Sequence, residues 1–320
     1  MRLYGVAMVR DEADVVEAFV RHNLAVLDGL ALVDHDSLDG TREILAKLAA
    51  EGLRLDVRPA EEAAFFQSRH LTALARELIE HERADFVFAL DADEFLKVRS
   101  RATLESALAA VPPGMHALIH WHTYVPDDLE SAERFGPGHL WWRLKHERHV
   151  MHKVVVSRAL AGTPSAIITD GNHLVAEPSA GKPPRHARLP AEIVACAHCP
   201  VRSREQLCAK VITGYLADLA AQAPGREFAH HWRELYREIA TGASISGEML
   251  RDIACNYTLP RAQWQPAATI ERVEDPVPLQ VELRYPSSVR SDPLRRLMRF
   301  TEALIVEQRQ QRLAASPAHL

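Results

Sequence analysis

Phe86-Val87-Phe88-Ala89-Leu90-Asp91-Ala92-Asp93-Glu94 is a run of five apolar residues that ends in three carboxylates. A continuous apolar run of this length reads as a strand buried on both faces, as in parallel sheets. Working back from it, residues 4–9 and 30–33 are earlier runs of the same kind, and 53–57 gives a further strand. Helical spacing fills the gaps between them. Val16, Phe19, Val20, Leu24 and Leu27 follow Asp11, a candidate N-cap. Ile44, Leu45 and Leu48 mark a helix over 41–51 that stops at Gly52, and Leu71, Leu74, Ala75, Leu78 and Ile79 mark one over 67–81. Repeated β-α-β units predict an α/β fold with a mostly parallel sheet flanked by helices. Ligands in such sheets bind beyond the carboxyl ends of the strands. Polar clusters lie there in this chain: 10–12 after the first strand, 34–41 after the second and 91–94 after the fourth.

Beyond residue 100 the pattern loosens. A helix over 103–111 ends at Pro112-Pro113-Gly114, and 116–125, 154–156 and 166–169 read as strands. Residues 178–190 form a basic, proline-containing loop. From Arg204 onward helices are expected over 207–221, 228–240, 247–256 and 293–312. We therefore divide the chain into a sheet-containing domain, 1–215, and a helical C-terminal extension, 216–320.

Composition narrows the function classes. At 320 residues the chain can bury a large core. A net charge of -5 with scattered basic residues gives no footprint for nucleic acid. No apolar run approaches the roughly 18 residues of a membrane span. Residues 1–9 run directly into Arg10-Asp11-Glu12 and read as a strand, not a signal peptide, so a cytoplasmic location is expected. Peripheral membrane association and a homo-oligomer stay open. Cys196, Cys199, Cys208 and Cys255 are all in the second half. The Cys196-x-x-Cys199 pair has no second pair to complete a zinc site and reads as buried thiols.

Two carboxylates one residue apart, on a loop leaving a rigid strand, can share a hard divalent cation that bridges to phosphate. A bare D-x-D also occurs as an ordinary polar turn, so the surrounding motifs decide. Met8-Val9-Arg10-Asp11-Glu12, Val33-Asp34-His35-Asp36-Ser37-Leu38-Asp39-Gly40-Thr41 and Asp91-Ala92-Asp93-Glu94-Phe95 together resemble family 2-type glycosyltransferases of the GT-A fold. The similarity is to the branch with D-x-x-S-x-D-G-T and D-A-D-E-F motifs. Lys153, Gly171-Asn172-His173, His198-Cys199-Pro200-Val201-Arg202-Ser203 and Lys210 extend it over roughly residues 3–215.

The resemblance implies a GT-A-like, Rossmann-like sheet and transfer of a sugar from a nucleoside-diphosphate donor to an acceptor hydroxyl, with inversion. A UDP-linked donor, a saccharide or glycolipid acceptor, a role in bacterial polysaccharide synthesis and Mn²⁺ or Mg²⁺ are the accompanying expectations. It places Val9, Arg10 and Glu12 at the nucleotide, Asp34 and Asp39 near base and ribose, and Asp91 at the ribose–metal edge. Asp91, Asp93 and His198 are the expected metal ligands, with His173 the second choice of histidine. Arg202 and Lys210 would neutralise the diphosphate. Asp34-His35 stands where the family commonly has Asp-Asp or Asp-Asn. Glu147 and Asp170 are candidates for the general base by position.

Rival enzyme classes fit less well. A dehalogenase-type phosphatase would want Thr or Val where Phe95 stands, a nucleotidyltransferase would want glycines in 9–13, and a dehydrogenase would want G-x-G-x-x-G. A catalytically degenerate sugar-nucleotide-binding or scaffold protein is the non-enzymatic alternative.

Overall fold

The computed structural model describes residues 1–62, 64–129, 135–177, 185–221, 230–242, 244–279, 282–285 and 293–315. Strands β1 (Leu3–Val9), β2 (Gly29–Asp34), β3 (Leu55–Pro59) and β4 (Phe86–Asp91) lie parallel in the order β3-β2-β1-β4. Helices α1 (Val16–Leu24), α2 (Thr41–Ala50) and α3 (Gln67–Glu80) connect them. All residues of β1 and β2 are buried, as expected of strands covered on both faces. The pleat sorts the side chains. Leu3, Ala7 and Val9 join α1 and α2 in one core, while Tyr4, Val6 and Met8 join α3 in another. At Gly29 the Tyr4 ring comes so close that an added Cβ would lie 2.7 Å from its Cε1 atom.

From β4 the chain turns straight back into β5 (Glu94–Val98), followed by α4 (Arg101–Ala109), whose first turn is capped by Ser100 Oγ accepting from Thr103 N–H. Then come β6 (His116–Thr123), β7 (Trp142–Leu144), β8 (His152–Ser157), β9 (Ile167–Ile168), β10 (Val175–Ala176), β11 (His186–Arg188) and β12 (Val194–His198). Helices α5 (Arg204–Ala221), α6 (His230–Ala240) and α7 (Gly247–Cys255), strand β13 (Arg272–Glu274) and α8 (Pro293–Ala315) complete the described chain. The main sheet runs β3-β2-β1-β4-β8-β6-β12-β5, with β11 beside β6. Strand β8 is antiparallel to β4 and β6; β12 is parallel to β6 and antiparallel to β5. The fold is thus α/β, parallel in its first half and mixed beyond.

Several details differ from the sequence reading. Strands β5, β7, β10, β11, β12 and β13 were not foreseen. Asp11 does not cap α1, which starts at Val16 without a side-chain cap. Its carboxylate accepts instead from Leu38 N–H at 2.7 Å, and its φ of 55° turns the chain toward that loop. The expected boundary at 215/216 falls inside α5. The C-terminal residues return to the sheet body: β13 pairs with β7, Val277 enters the first core, and Arg284 and Tyr285 N–H donate to Glu17. Of the basic loop at 178–190, residues 178–184 lie outside the described residues, as do 228–229 at the start of the third-from-last expected helix. Among the described residues no helix is long and apolar enough to cross a membrane.

Candidate metal centre

Parallel register brings the three polar loops to one edge: Val9 is level with Asp34, and Met8 with Asp91. Only Ala92-Asp93 separates β4 from β5, so the acidic motif is a tight reversal held at both ends. Opposite it, β12 pairs with β5 in a register that sets His198 against Glu94. The ladder, rather than loop packing, therefore brings a residue from position 198 to the acidic turn.

Asp93, Glu94 and His198 are buried, and their ligand atoms lie within 4.8 Å of one another. His198 Nε2 is 3.5 Å from Asp93 Oδ1, Lys210 Nζ pairs with Asp93 Oδ2, and Arg202 Nη1 lies 3.7 Å from the same oxygen. Burial opposes the charge on Asp93, but Lys210, His198 and Arg202 outweigh it and hold the carboxyl well below its usual range. Glu94 differs. Burial pushes it up to about 8, and the neighbouring charges of Asp91 and Asp93 add to this against the pull of Lys153. Glu94 Oε2 accepts from Asp91 N–H at 2.9 Å. Glu94 Oε1 forms an ion pair with Lys153 Nζ at 2.8 Å and has no further hydrogen-bond donor, and His198 Nδ1 has no hydrogen-bond partner. Two carboxylates and one imidazole, with Glu94 Oε1 and His198 Nδ1 lacking hydrogen-bond partners, are a donor set that fits Mn²⁺ or Mg²⁺.

Asp91 sits beside this set with other partners. Its carboxylate accepts from Gln67 Nε2 at 2.8 Å, Asn172 Nδ2 at 3.0 Å and Lys153 Nζ at 2.5 Å. Lys153 is buried, yet Asp91 and Glu94 more than offset the desolvation and keep it charged. Trp121 stacks on His173 with ring centroids 5.7 Å apart and meets His198 edge-on at 4.2 Å. His173 Nδ1 is 2.9 Å from His152 O, and burial lowers this imidazole to about 4.

Behind Asp93, Arg202 forks onto Asp14 at 2.6 and 3.0 Å and pairs with Glu12. The first two loops are stitched together. Glu12 N–H donates to Thr41 Oγ1 at 2.8 Å, and Asp39 accepts from Ala13 N–H, Thr41 N–H and Thr41 Oγ1. Asp39 therefore shapes the loop, and burial raises it to about 6. Asp34 accepts from Ser37 N–H and Arg42 Nε. Arg10 Nε donates to His35 O at 3.0 Å, with burial foremost and then Arg296 lowering the guanidinium to about 9. Val9 lies in the core beneath, its carbonyl accepting from His35 N–H.

Arg296 of α8 reaches these loops from far along the chain. It is 1% exposed and binds Asp11 at 3.0 Å and Asp36 at 3.1 Å. Nothing in its Arg-rich surroundings singles it out in sequence. Glu94 as a donor, Gln67 and Tyr257 also went unassigned; the Tyr257 ring lies 5.7 Å from His198. Glu147 holds Thr123 through N–H and Oγ1 at 2.7 and 2.8 Å, at the residue paired with His198 in the sheet. Burial raises its carboxyl. Asp170 accepts from Ser68 N–H at 3.0 Å near the start of α3. The four cysteines are free, and burial raises the Cys199 thiol to about 12.

Neither family models nor curated protein sequences match this chain. Among solved structures it is similar to residues 1–349 of S. aureus TarS, at 13% identity over 75% of this chain and 72% of that one, TM-score 0.36. It is also similar to the mannosyltransferase PcManGT from Pyrobaculum calidifontis, solved with GDP-Man and Mn²⁺, at 19% identity over 69% and 65% of the two chains, TM-score 0.38. A third is the Mycobacterium tuberculosis glucosyl-3-phosphoglycerate synthase solved with Mn²⁺ and UDP, at 19% identity over 38% and 43%, TM-score 0.24.

Proposed function

We propose that this chain is a metal-dependent glycosyltransferase that moves a sugar from a nucleoside-diphosphate donor to an acceptor hydroxyl with inversion. The observation that supports this most is the convergence of Asp93, Glu94 and His198 with Lys153, Arg202 and Lys210 at the carboxyl edge of the parallel strands. A cluster of buried carboxylates and cations with unused acceptors suits a ligand that brings both a divalent ion and phosphate. Mn²⁺ or Mg²⁺ on Asp93, Glu94 and His198 would stabilise the charge that builds on the departing diphosphate. Lys210 and Arg202 would add positive charge on the same side, and Asp91, fixed by Gln67, Asn172 and Lys153, would lie toward the donor's ribose. In this reading the loops carrying Arg10, Glu12 and Asp34, shaped by Asp39, would face the nucleoside.

In the transfer, the acceptor oxygen bonds to the anomeric carbon as that carbon's bond to the diphosphate oxygen breaks. Glu147 is the base we assign to the acceptor proton, because it is held beside Thr123 near His198 and its raised carboxyl makes it a stronger base than an ordinary glutamate. Asp170, tied to Ser68 N–H, positions α3.

The test is a panel of nucleoside diphosphates and their sugars, read by melting temperature with and without Mn²⁺ and by release of free nucleoside diphosphate. A ligand that binds only the folded state raises the apparent stability by about 2.7 kcal/mol at a hundredfold excess over Kd. We expect one base to give a Mn²⁺-dependent rise and the matching sugar nucleotide to turn over. If no nucleotide shifts the melting temperature in Mn²⁺, the assignment fails; a shift with no turnover for any sugar would favour a binding protein.

A further inference from the structure

The imidazole of His198 meets aromatic rings where hydrogen bonds ordinarily hold a metal-binding histidine. Such a histidine usually gives its second ring nitrogen to a carboxylate or a carbonyl, which fixes the plane of the ring. Here Nε2 faces Asp93 Oδ1 at 3.5 Å, and Nδ1 is buried with no hydrogen-bond partner among the described residues. Two aromatic side chains adjoin the ring instead. Trp121 lies edge-on with centroids 4.2 Å apart, and Tyr257 lies at 5.7 Å with the planes 63° apart. Trp121 is on β6, the sheet neighbour of β12, so the ladder accounts for its closeness.

Tyr257 comes from beyond α7, and the chain is built to keep it there. Leu250 and Ile253 of α7 share one apolar core with Val201 and Leu207, which follow His198. Asn256, buried at the end of the helix, donates to Asp252 O at 2.8 Å and Gln265 O at 2.9 Å and accepts from Arg148 Nη1 at 2.7 Å. These bonds pin the backbone beside Tyr257, whose half-buried ring also lies 5.8 Å from Lys210 Nζ, the cation paired with Asp93. One ring therefore adjoins two of the groups that converge on Asp93. We propose that Tyr257 is a positioning residue for the metal centre, its ring setting the imidazole of His198 and the ammonium of Lys210 against Asp93. On this assignment α7 and the turn after it belong to the site, and the assignment rests on reading Asp93, Glu94 and His198 as metal ligands.

The experiment is titration of the full chain with Mn²⁺ in the absence of nucleotide, followed by the EPR signal of unbound Mn²⁺, so that the readout does not depend on sugar transfer. The parent is compared with Tyr257→Phe, with Tyr257→Leu and with Tyr257→Met as a second variant lacking the ring, each titrated well below its metal-free melting temperature. Loss of an outer contact of a metal ligand weakens binding about 10–100-fold, and we expect that loss in the Leu and Met variants. Tyr257→Phe, which keeps the ring, should bind close to the parent. Trp264→Leu is the control, because Trp264 packs on the same apolar core but stacks against Arg261; its Mn²⁺ affinity should stay parental. The proposal fails if the variants lacking the ring bind Mn²⁺ like the parent, if Tyr257→Phe is weakened as much as they are, or if Trp264→Leu loses as much affinity. A parent chain that binds no Mn²⁺ would refute the metal centre itself, and the proposal with it.

Discussion

Asp93 and Glu94 are adjacent in the chain and equally buried, yet their surroundings drive them apart. Asp93 has three cationic or imidazole neighbours and stays ionised; Glu94 has Lys153 alone against two carboxylates. Removing the charge of Asp93 leaves Lys210 and Arg202 facing each other, so Asp93→Asn should lower stability. The informative reading is therefore the Mn²⁺-dependent part of the melting-temperature rise, which should vanish, with kcat reduced about 10²–10³-fold. A full Mn²⁺ response in that variant would remove Asp93 from the ligand set. Glu147→Gln keeps the shape that holds Thr123 and should lower kcat about 10²–10⁴-fold while leaving donor KM nearly unchanged. As burial raises this carboxyl, it protonates at a higher pH than an ordinary glutamate. The acid limb of the parent enzyme's kcat profile should therefore lie above the usual carboxylate range and be absent from the variant's residual activity. A Gln variant with parental kcat would place the base elsewhere. At this scale the acidic turn was legible because three carboxylates after an apolar strand are a local signal. Glu94 as a donor was not, because its role depends on a histidine that only the sheet brings near.

At the scale of elements, β1, β2 and β4 were readable because strands buried on both faces are continuous apolar runs; β3 is only partly buried and mixes apolar with charged residues. Strand β5 was not: Glu94-Phe95-Leu96-Lys97-Val98 is half polar, and its strand state depends on pairing with β12. The close approach of Tyr4 to Gly29 ties β1 to β2, so Gly29→Ala should cost about 1–3 kcal/mol by overpacking, measured by urea unfolding. No loss would mean that the Tyr4 ring moves aside freely. Helix α8 is held by charge. Arg296→Met would leave Asp11 without its cation while Asp36 keeps Arg299 and the more distant Arg42, and should cost about 3 kcal/mol, with Asp11→Asn added to it restoring part. If Arg296→Met unfolds at the parent's urea midpoint, the buried ion cluster contributes nothing to holding the helix.

Across the whole molecule, the site draws on residues 12, 93, 198, 202, 210 and 296, and no window of sequence contains more than a few of them. The order in which motifs follow the strands revealed the edge where a ligand belongs. It could not show that the last helix returns there, since an arginine among arginines carries no pattern. That return bears on how the protein is made. With synthesis at about 5–20 residues per second, Asp36 is translated on the order of tens of seconds before Arg296. Through that interval the first β-α-β units can form, while Asp11 and Asp36 wait for the arginine that bridges them. A ribosome-bound chain lacking α8 should therefore hold its first two loops loosely, and those loops should settle only when the last helix is released.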